Sequence, residues 1–360
     1  MSQQAPFHPI HDLGLTEPII SAPMAGVSGG ALASAVRAAG GLGLVAVGHG
    51  ASEELIRREM SLAADAARPA PSPAQSAAPA TPAAAAFPGS WGVGLMAWSL
   101  ELDASALDTV LEYSPPVVAL AAGDPTAAAK RAHQAGARVA VQVGNAAELA
   151  AAESDPYIDL IVVRGAEGGG HGLNDISTLP LLQLALSTCH KPVGAAGGIA
   201  TAAGVAAVLG SGAVAAWVGT RFIPCSESLS PAAQQAAVSA ASVSDTVYTS
   251  VFDLSLGIPW PREYGGRALA NQVTDTWAGS REDALRAGLA AGDAPAMDTA
   301  QRVRAARAAG DPTAAPVYAG QSAGLVPSTA TGASAASVVQ ELAGFREILR
   351  RAAGAWGTAG

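Results

Sequence analysis

Residues 191–221 read KPVGAAGGIATAAGVAAVLGSGAVAAWVGTR, and no charged side chain occurs between Lys191 and Arg221. A run this long and apolar is a candidate membrane span. Its punctuation argues otherwise. Pro192, the pair Gly197 and Gly198, and the break at Gly210, Ser211 and Gly212 divide it into strand, helix and strand. Parallel strands buried on both faces have this continuous apolar character, so the stretch reads as a βαβ unit.

Working outward from it, the same alternation of short apolar runs and Ala-rich helical segments recurs along the chain. The runs are Pro18–Met24, Gly41–Gly48, Trp91–Ala97, Pro116–Ala121, Arg138–Gly144, Asp159–Gly165, Pro192–Gly198 and Ala213–Thr220. Helix-start signals fall between them, such as Ser52 ahead of Glu53 and Glu54, and Asp124 ahead of Pro125. Eight βα units are the number that closes a barrel, so the expected fold is an α/β (β/α)8 TIM barrel with a helical C-terminal extension. The barrel core is expected over residues 1–240. It is interrupted at about 69–88 by a Pro-, Ala- and Ser-rich insertion whose composition predicts disorder. Residues 241–360 read as a mostly helical extension that covers the barrel mouth. It carries two richer islands, Thr246–Trp260 and Val317–Val326.

The chain has 360 residues, half of them hydrophobic, 14% charged and 4% aromatic, with a formal charge of -9. The acidic balance lacks the electrostatic footprint of a nucleic-acid or anionic-membrane binder and favours a small ligand. Cys189 and Cys225 stand outside any metal-ligand or redox spacing and read as reduced thiols, so no metal is expected. The N-terminal MSQQAPFHPIHDLG has neither a basic nor an apolar signal region, which makes the cytoplasm the default location.

In such a barrel, function sits at the C-terminal ends of the strands, commonly with a phosphate in the loops after the seventh and eighth. Those loops are Ala195-Ala196-Gly197-Gly198-Ile199 and Trp217-Val218-Gly219-Thr220-Arg221. Glycine lets backbone N–H groups approach phosphate oxygens, and the Thr220 hydroxyl adds a donor. From composition alone, tight turns with no ligand explain these glycines equally well. The sixth run ends in Gly165-Ala166-Glu167-Gly168-Gly169-Gly170-His171-Gly172, which places an imidazole on a flexible loop at the mouth. There it serves either as a solvated side chain or as a donor and proton acceptor toward a ligand. The first run ends in Ala22-Pro23-Met24, where Met24 is either core or a soft surface for an aromatic ring system. P-loop, Rossmann, hydrolase-elbow and zincin signatures are absent from the sequence.

Taken in order, PIISAPMAGVSGG, AAGGLGLVAVG, DLIVVRGAEGGGHG, PVGAAGGIA and WVGTRFIPCSES resemble the nitronate monooxygenases, formerly called 2-nitropropane dioxygenases. The resemblance runs from about Pro18 to Ser228, with an echo in Tyr318–Gly324. It implies FMN bound by Ala22, Pro23, Met24, Gln142, Arg164, Gly169, Gly170, Gly197, Gly198, Trp217, Val218, Gly219 and Thr220, with His171 facing the substrate. It also implies oxidation of alkyl nitronates with O2 to a carbonyl compound and nitrite, the flavin carrying the redox step. The expected partners are a nitronate or nitroalkane and O2, and a homodimer is compatible with the reading. Glu167 is the one sequence neighbour placed to orient His171, and hydrogen bonding to an ionised nitronate is the role favoured for the imidazole.

Two positions depart from the family pattern. Gly94 replaces a usual Asn, which implies a lost side-chain contact to the flavin. Arg164 replaces a usual Gln, which implies a guanidinium that stabilises a reduced, anionic ring and attracts an anionic substrate. The resemblance extends to flavin-dependent enoyl-acyl-carrier-protein reductases that use NAD(P)H. A flavin-binding barrel without catalysis is the third reading.

Overall fold

The computed structural model describes residues 7–65 and 89–356. The stretch at about 69–88, expected to be a disordered insertion, lies outside the described residues. Among the described residues there are eleven strands: β1 (Ile19–Ser21), β2 (Leu42–Ala46), β3 (Ser90–Met96), β4 (Val117–Ala121), β5 (Arg138–Val143), β6 (Leu160–Arg164), β7 (Gly170–His171), β8 (Val193–Ala196), β9 (Ala215–Val218), β10 (Thr246–Thr249) and β11 (Gly266–Leu269). Eight of them close a barrel in the order β1-β2-β3-β4-β5-β6-β8-β9. Each of the eight apolar runs supplies one barrel strand, all parallel, and β9 returns to β1 with Ile20 opposite Trp217.

The charge-free stretch behaves as its breaks predict. Val193–Ala196 and Ala215–Val218 are strands separated by the helix Ala202–Gly210, whose N-cap Thr201 accepts from the Gly204 N–H. Among the described residues no helix is long and apolar enough to cross a membrane. The expected helix starts also hold: the Leu55 N–H donates to Ser52 and the Thr126 N–H to Asp124.

Because side chains alternate along a strand, each run divides into two sets. Leu160 and Val162 of β6, and Ala215 and Trp217 of β9, join Ile20, Leu42, Leu44 and Ala140 inside the barrel. Ile161, Val163, Ala216 and Val218 face the helical ring, where the larger core lies. The same alternation turns Gln142, Arg164, Ala196 and Trp217 inward near the C-terminal rim. Small residues dominate that layer, with Ala22, Ala46, Gly94, Ala119, Ala121 and Ala196 around the mouth, so the barrel is filled below and left open above.

A second sheet was not foreseen. β7, which lies within the glycine-rich stretch after β6, pairs antiparallel with β11, which pairs in turn with β10. Tyr318 forms an isolated bridge to Ala268 of β11. Both islands of the extension therefore reach the loop after β6.

Candidate functional site

A cavity of about 710 Å3 opens at the C-terminal rim. Its wall includes Ala22, Pro23, Met24, Gln142, Arg164, Gly169, Gly170, His171, Gly197, Gly198, Trp217, Gly219 and Thr220. Val218 is the exception among the expected contacts. Its side chain is fully buried in the outer core, as its place one residue beyond the inward Trp217 requires, and only its carbonyl looks back, accepting from the Ala22 N–H. From the C-terminal extension, Asp253, Leu256, Ile258, Trp260, Val317 and Tyr318 line the same cavity.

At one end of the cavity the turns after β8 and β9 lie side by side. Gly197 and Gly198 have φ of +104° and +71°, a region that side chains rarely adopt. The backbone N–H groups of Gly198 and Gly219 donate to no protein acceptor among the described residues. A Cβ on Gly219 would touch Ala22 Cβ and Met24 Sδ at 3.4 Å. The Thr220 hydroxyl accepts from the Gly320 N–H at 3.0 Å, which leaves its own hydrogen free to donate. Unused backbone donors on glycines, which have no Cβ of their own in the way, suit a phosphate, so the residues present fit the phosphate end of a flavin mononucleotide.

The loop after β6 is built around Arg164. Its guanidinium donates to the carbonyls of Gly168 (2.7 Å), Gly170 (2.9 Å), Gly169 (3.2 Å) and Leu173 (3.2 Å). The side chain is buried, and that burial pushes its pKa down to about 10, so it is still charged at neutral pH. These four bonds give the cation a task that the sequence did not show, holding the loop's backbone carbonyls while it lines the cavity. Arg267 holds the other side of the loop through Ala166 O and Asn174 Oδ1. Gly169 stands where a Cβ would lie 2.4 Å from Gly320 N, and the Gln321 N–H donates to Glu167 O. Backbone contact thus joins the glycine-rich loop to the Tyr318–Gly324 motif. At the other departure, a Cβ on Gly94 would lie 2.2 Å from Pro23 Cγ. The proline ring fills the place a side chain would need.

His171 is fixed by residues far away in sequence. Its Nε2 lies 2.9 Å from both carboxylate oxygens of Asp253, and its ring stacks on Trp260 at 3.8 Å with 3° between the planes. The Tyr318 hydroxyl donates to the same carboxylate at 3.3 Å, and Asp253 itself is only 3% exposed. Burial first, and the neighbouring Asp253 charge second, push the Tyr318 hydroxyl well above the ordinary tyrosine range, so it stays a neutral donor. Glu167 does not orient His171. Its carboxylate instead accepts from the Thr178 N–H at 2.9 Å, at the start of the helix Thr178–Thr188. Asp253, Trp260 and Tyr318 were missed as site residues. The one signal available was an acid inside the apolar VFDLSL segment, which a solvated helix face does not explain.

Among the described residues no group of His, Cys, Asp and Glu could hold a metal ion, and both cysteines are free thiols. Burial pushes the Cys225 thiol up to about 12.

The nitronate monooxygenase family model matches residues 8–343. The chain belongs to the nitronate monooxygenase family. A nitronate monooxygenase of Paraburkholderia phytofirmans is 32% identical over 371 positions, covering 94% of this chain and 96% of that protein. The solved structure of a nitroalkane oxidase from Streptomyces ansochromogenes aligns with a TM-score of 0.72 at 26% identity, over 96% of this chain and 99% of that one. FabK from Thermotoga maritima gives a TM-score of 0.74 at 24% identity, over 98% of this chain and 100% of that one, a likeness of fold alone. Membership of the nitronate monooxygenase family makes the protein an oxidoreductase.

Proposed function

We propose that this member of the nitronate monooxygenase family oxidises alkyl nitronates with O2, giving a carbonyl compound and nitrite, with FMN as its cofactor. The observation that carries the reading is His171, held by Asp253 and Trp260 on the wall of the same cavity that Gly198 and Gly219 line with their unused N–H groups. An imidazole and a set of free backbone donors in one cavity support a flavin bound there. When bound, FMN supplies the redox chemistry, which no side chain here could provide.

The protein's part is placement. Gly198, Gly219 and Thr220 would hold the phosphate, the small residues Ala22, Ala121 and Ala196 would leave room for the ring system, and Met24 would offer it a polarisable surface. His171 would hydrogen-bond the nitronate oxygens. Leu256, Ile258 and Trp260 would exclude water from that end of the cavity, which strengthens each polar contact inside it. On this reading residues 241–360 form one flavin-binding unit with the barrel, because they supply the partners of His171.

The test is His171→Ala assayed on preformed alkyl nitronates. Loss of one such partner costs about 1–3 kcal/mol of transition-state stabilisation, a fall of roughly 10- to 100-fold in kcat/KM with flavin content unchanged. Wild-type turnover on every nitronate tried would remove His171 from the mechanism.

A further inference from the structure

We propose that Asp253 is the positioning residue of His171: it fixes the imidazole in the tautomer with its hydrogen on Nε2, and so presents Nδ1 to the substrate as a proton acceptor. The inference rests on the reading that His171 faces substrate, and it assigns a task to a residue that the sequence did not single out.

Both oxygens of Asp253 lie 2.9 Å from Nε2. A carboxylate only accepts, so the hydrogen on that line belongs to the imidazole. The ring is held against turning. Trp260 lies flat on one face, the Tyr318 ring sits tilted at 4.8 Å, and the backbone is tied to β11 by the pairing of His171 with Gly266. Nδ1 has no hydrogen-bond partner among the described residues, and it is not sealed off from solvent. The second bond to Asp253 comes from Tyr318, which stays protonated and so keeps the carboxylate in one orientation.

This geometry lets one residue do two things in turn. Toward a neutral nitroalkane, Nδ1 takes the α-proton, and the electron pair of the broken C–H bond moves into the C–N bond of the nitronate. The imidazolium so formed keeps its Nε2–H on Asp253, which does not itself become protonated. Its new Nδ1–H then donates to the nitronate oxygen. A preformed nitronate has no need of the base: the imidazole that meets it carries on Nδ1 a proton taken from solvent, and this Nδ1–H donates to the nitronate oxygen.

The test uses the full-length, flavin-loaded protein, with histidine nitrogens labelled for 15N NMR and turnover measured on a nitroalkane and on its preformed nitronate. The wild type should show His171 with hydrogen on Nε2. In Asp253→Asn the Tyr318 hydroxyl keeps the amide oxygen engaged and the amide nitrogen faces Nε2, so the hydrogen should move to Nδ1. Nitroalkane turnover should then fall roughly 10²- to 10⁴-fold, the range for losing a general base, while nitronate turnover falls by about tenfold or less and flavin content holds. Asp253→Glu, which keeps the carboxylate, should recover the Nε2 tautomer and part of the nitroalkane turnover. A wild-type hydrogen on Nδ1 would overturn the proposal without any variant needing to fold. Equal losses on both substrates with the tautomer unchanged would also overturn it. If the wild type turns over neither substrate, the functional reading fails, and the tautomer still decides whether Asp253 positions His171.

Discussion

Replacing Arg164 with Met should loosen the site more than it loosens the protein. An arginine whose pKa has fallen to about 10 on burial is kept charged at a cost of about 3 kcal/mol. Against that stand its bonds to four carbonyls, of which three share one terminal nitrogen, so that about three full bonds are made. Hydrogen bonds from a charged donor contribute about 1.5–3 kcal/mol each, and methionine restores the apolar volume without the charge. The expected net loss is about 3 kcal/mol once the relieved cost of burial is set against the missing bonds. Urea unfolding should show a lower midpoint at unchanged slope. Hydrogen exchange should quicken at the amides of residues 168–173 while the amides of β4 and β5 stay protected. An unchanged midpoint together with unchanged exchange in the loop would refute the reasoning, because Arg267 and the Gly169–Gly320 contact would then suffice to hold the loop.

Stability at high pH carries a related signature. The folded pKa of Arg164 lies below its unfolded value, so the unfolded chain holds the proton more tightly. The burial cost is therefore present in full below about pH 10 and recedes as pH rises past it, giving wild type a gain in that range that Arg164→Met lacks; parallel curves would contradict this. In the turn after β9, Gly219 has an ordinary φ of -110°, and an added Cβ would meet its neighbours at 3.4 Å. Gly219→Ala should therefore fold like wild type yet retain less flavin, read by absorbance after gel filtration, and full flavin occupancy would place the phosphate elsewhere. Gly198→Val should lose flavin and also about 1–2 kcal/mol or more of stability, since a branched residue is forced to φ +71°; calorimetry separates the two effects.

The barrel was legible because the strands are short, mostly apolar runs, each except β3 followed within a few residues by glycine or proline, and because inward and outward positions alternate. The glycine turns after β8 and β9 and the mouth of the cavity followed from where those strands end. What stayed hidden was carried by contacts distant in sequence. His171 and Asp253 are 82 residues apart, and a two-residue strand such as β7 is too short to leave a periodic signal. Arg164 was noticed but its hold on the loop was not, since a sequence cannot show that a loop folds its carbonyls back over a guanidinium. Val218 was included with its neighbours Trp217 and Gly219 although period-two alternation turns it outward, a distinction the residues themselves contained. Gly94 is explained by Pro23, its partner across the rim, and no local pattern reports that packing.

The most direct test of the account is steady-state O2 uptake by one preparation of the flavin-loaded protein, first with a preformed alkyl nitronate and then with NADH or NADPH in its place. The account predicts O2 consumption with the nitronate, nitrite and a carbonyl compound as products, and no appreciable oxidation of the nicotinamide. Rapid NAD(P)H oxidation with no turnover of any nitronate would contradict it and assign the cavity to a nicotinamide-dependent reductase built on the same barrel.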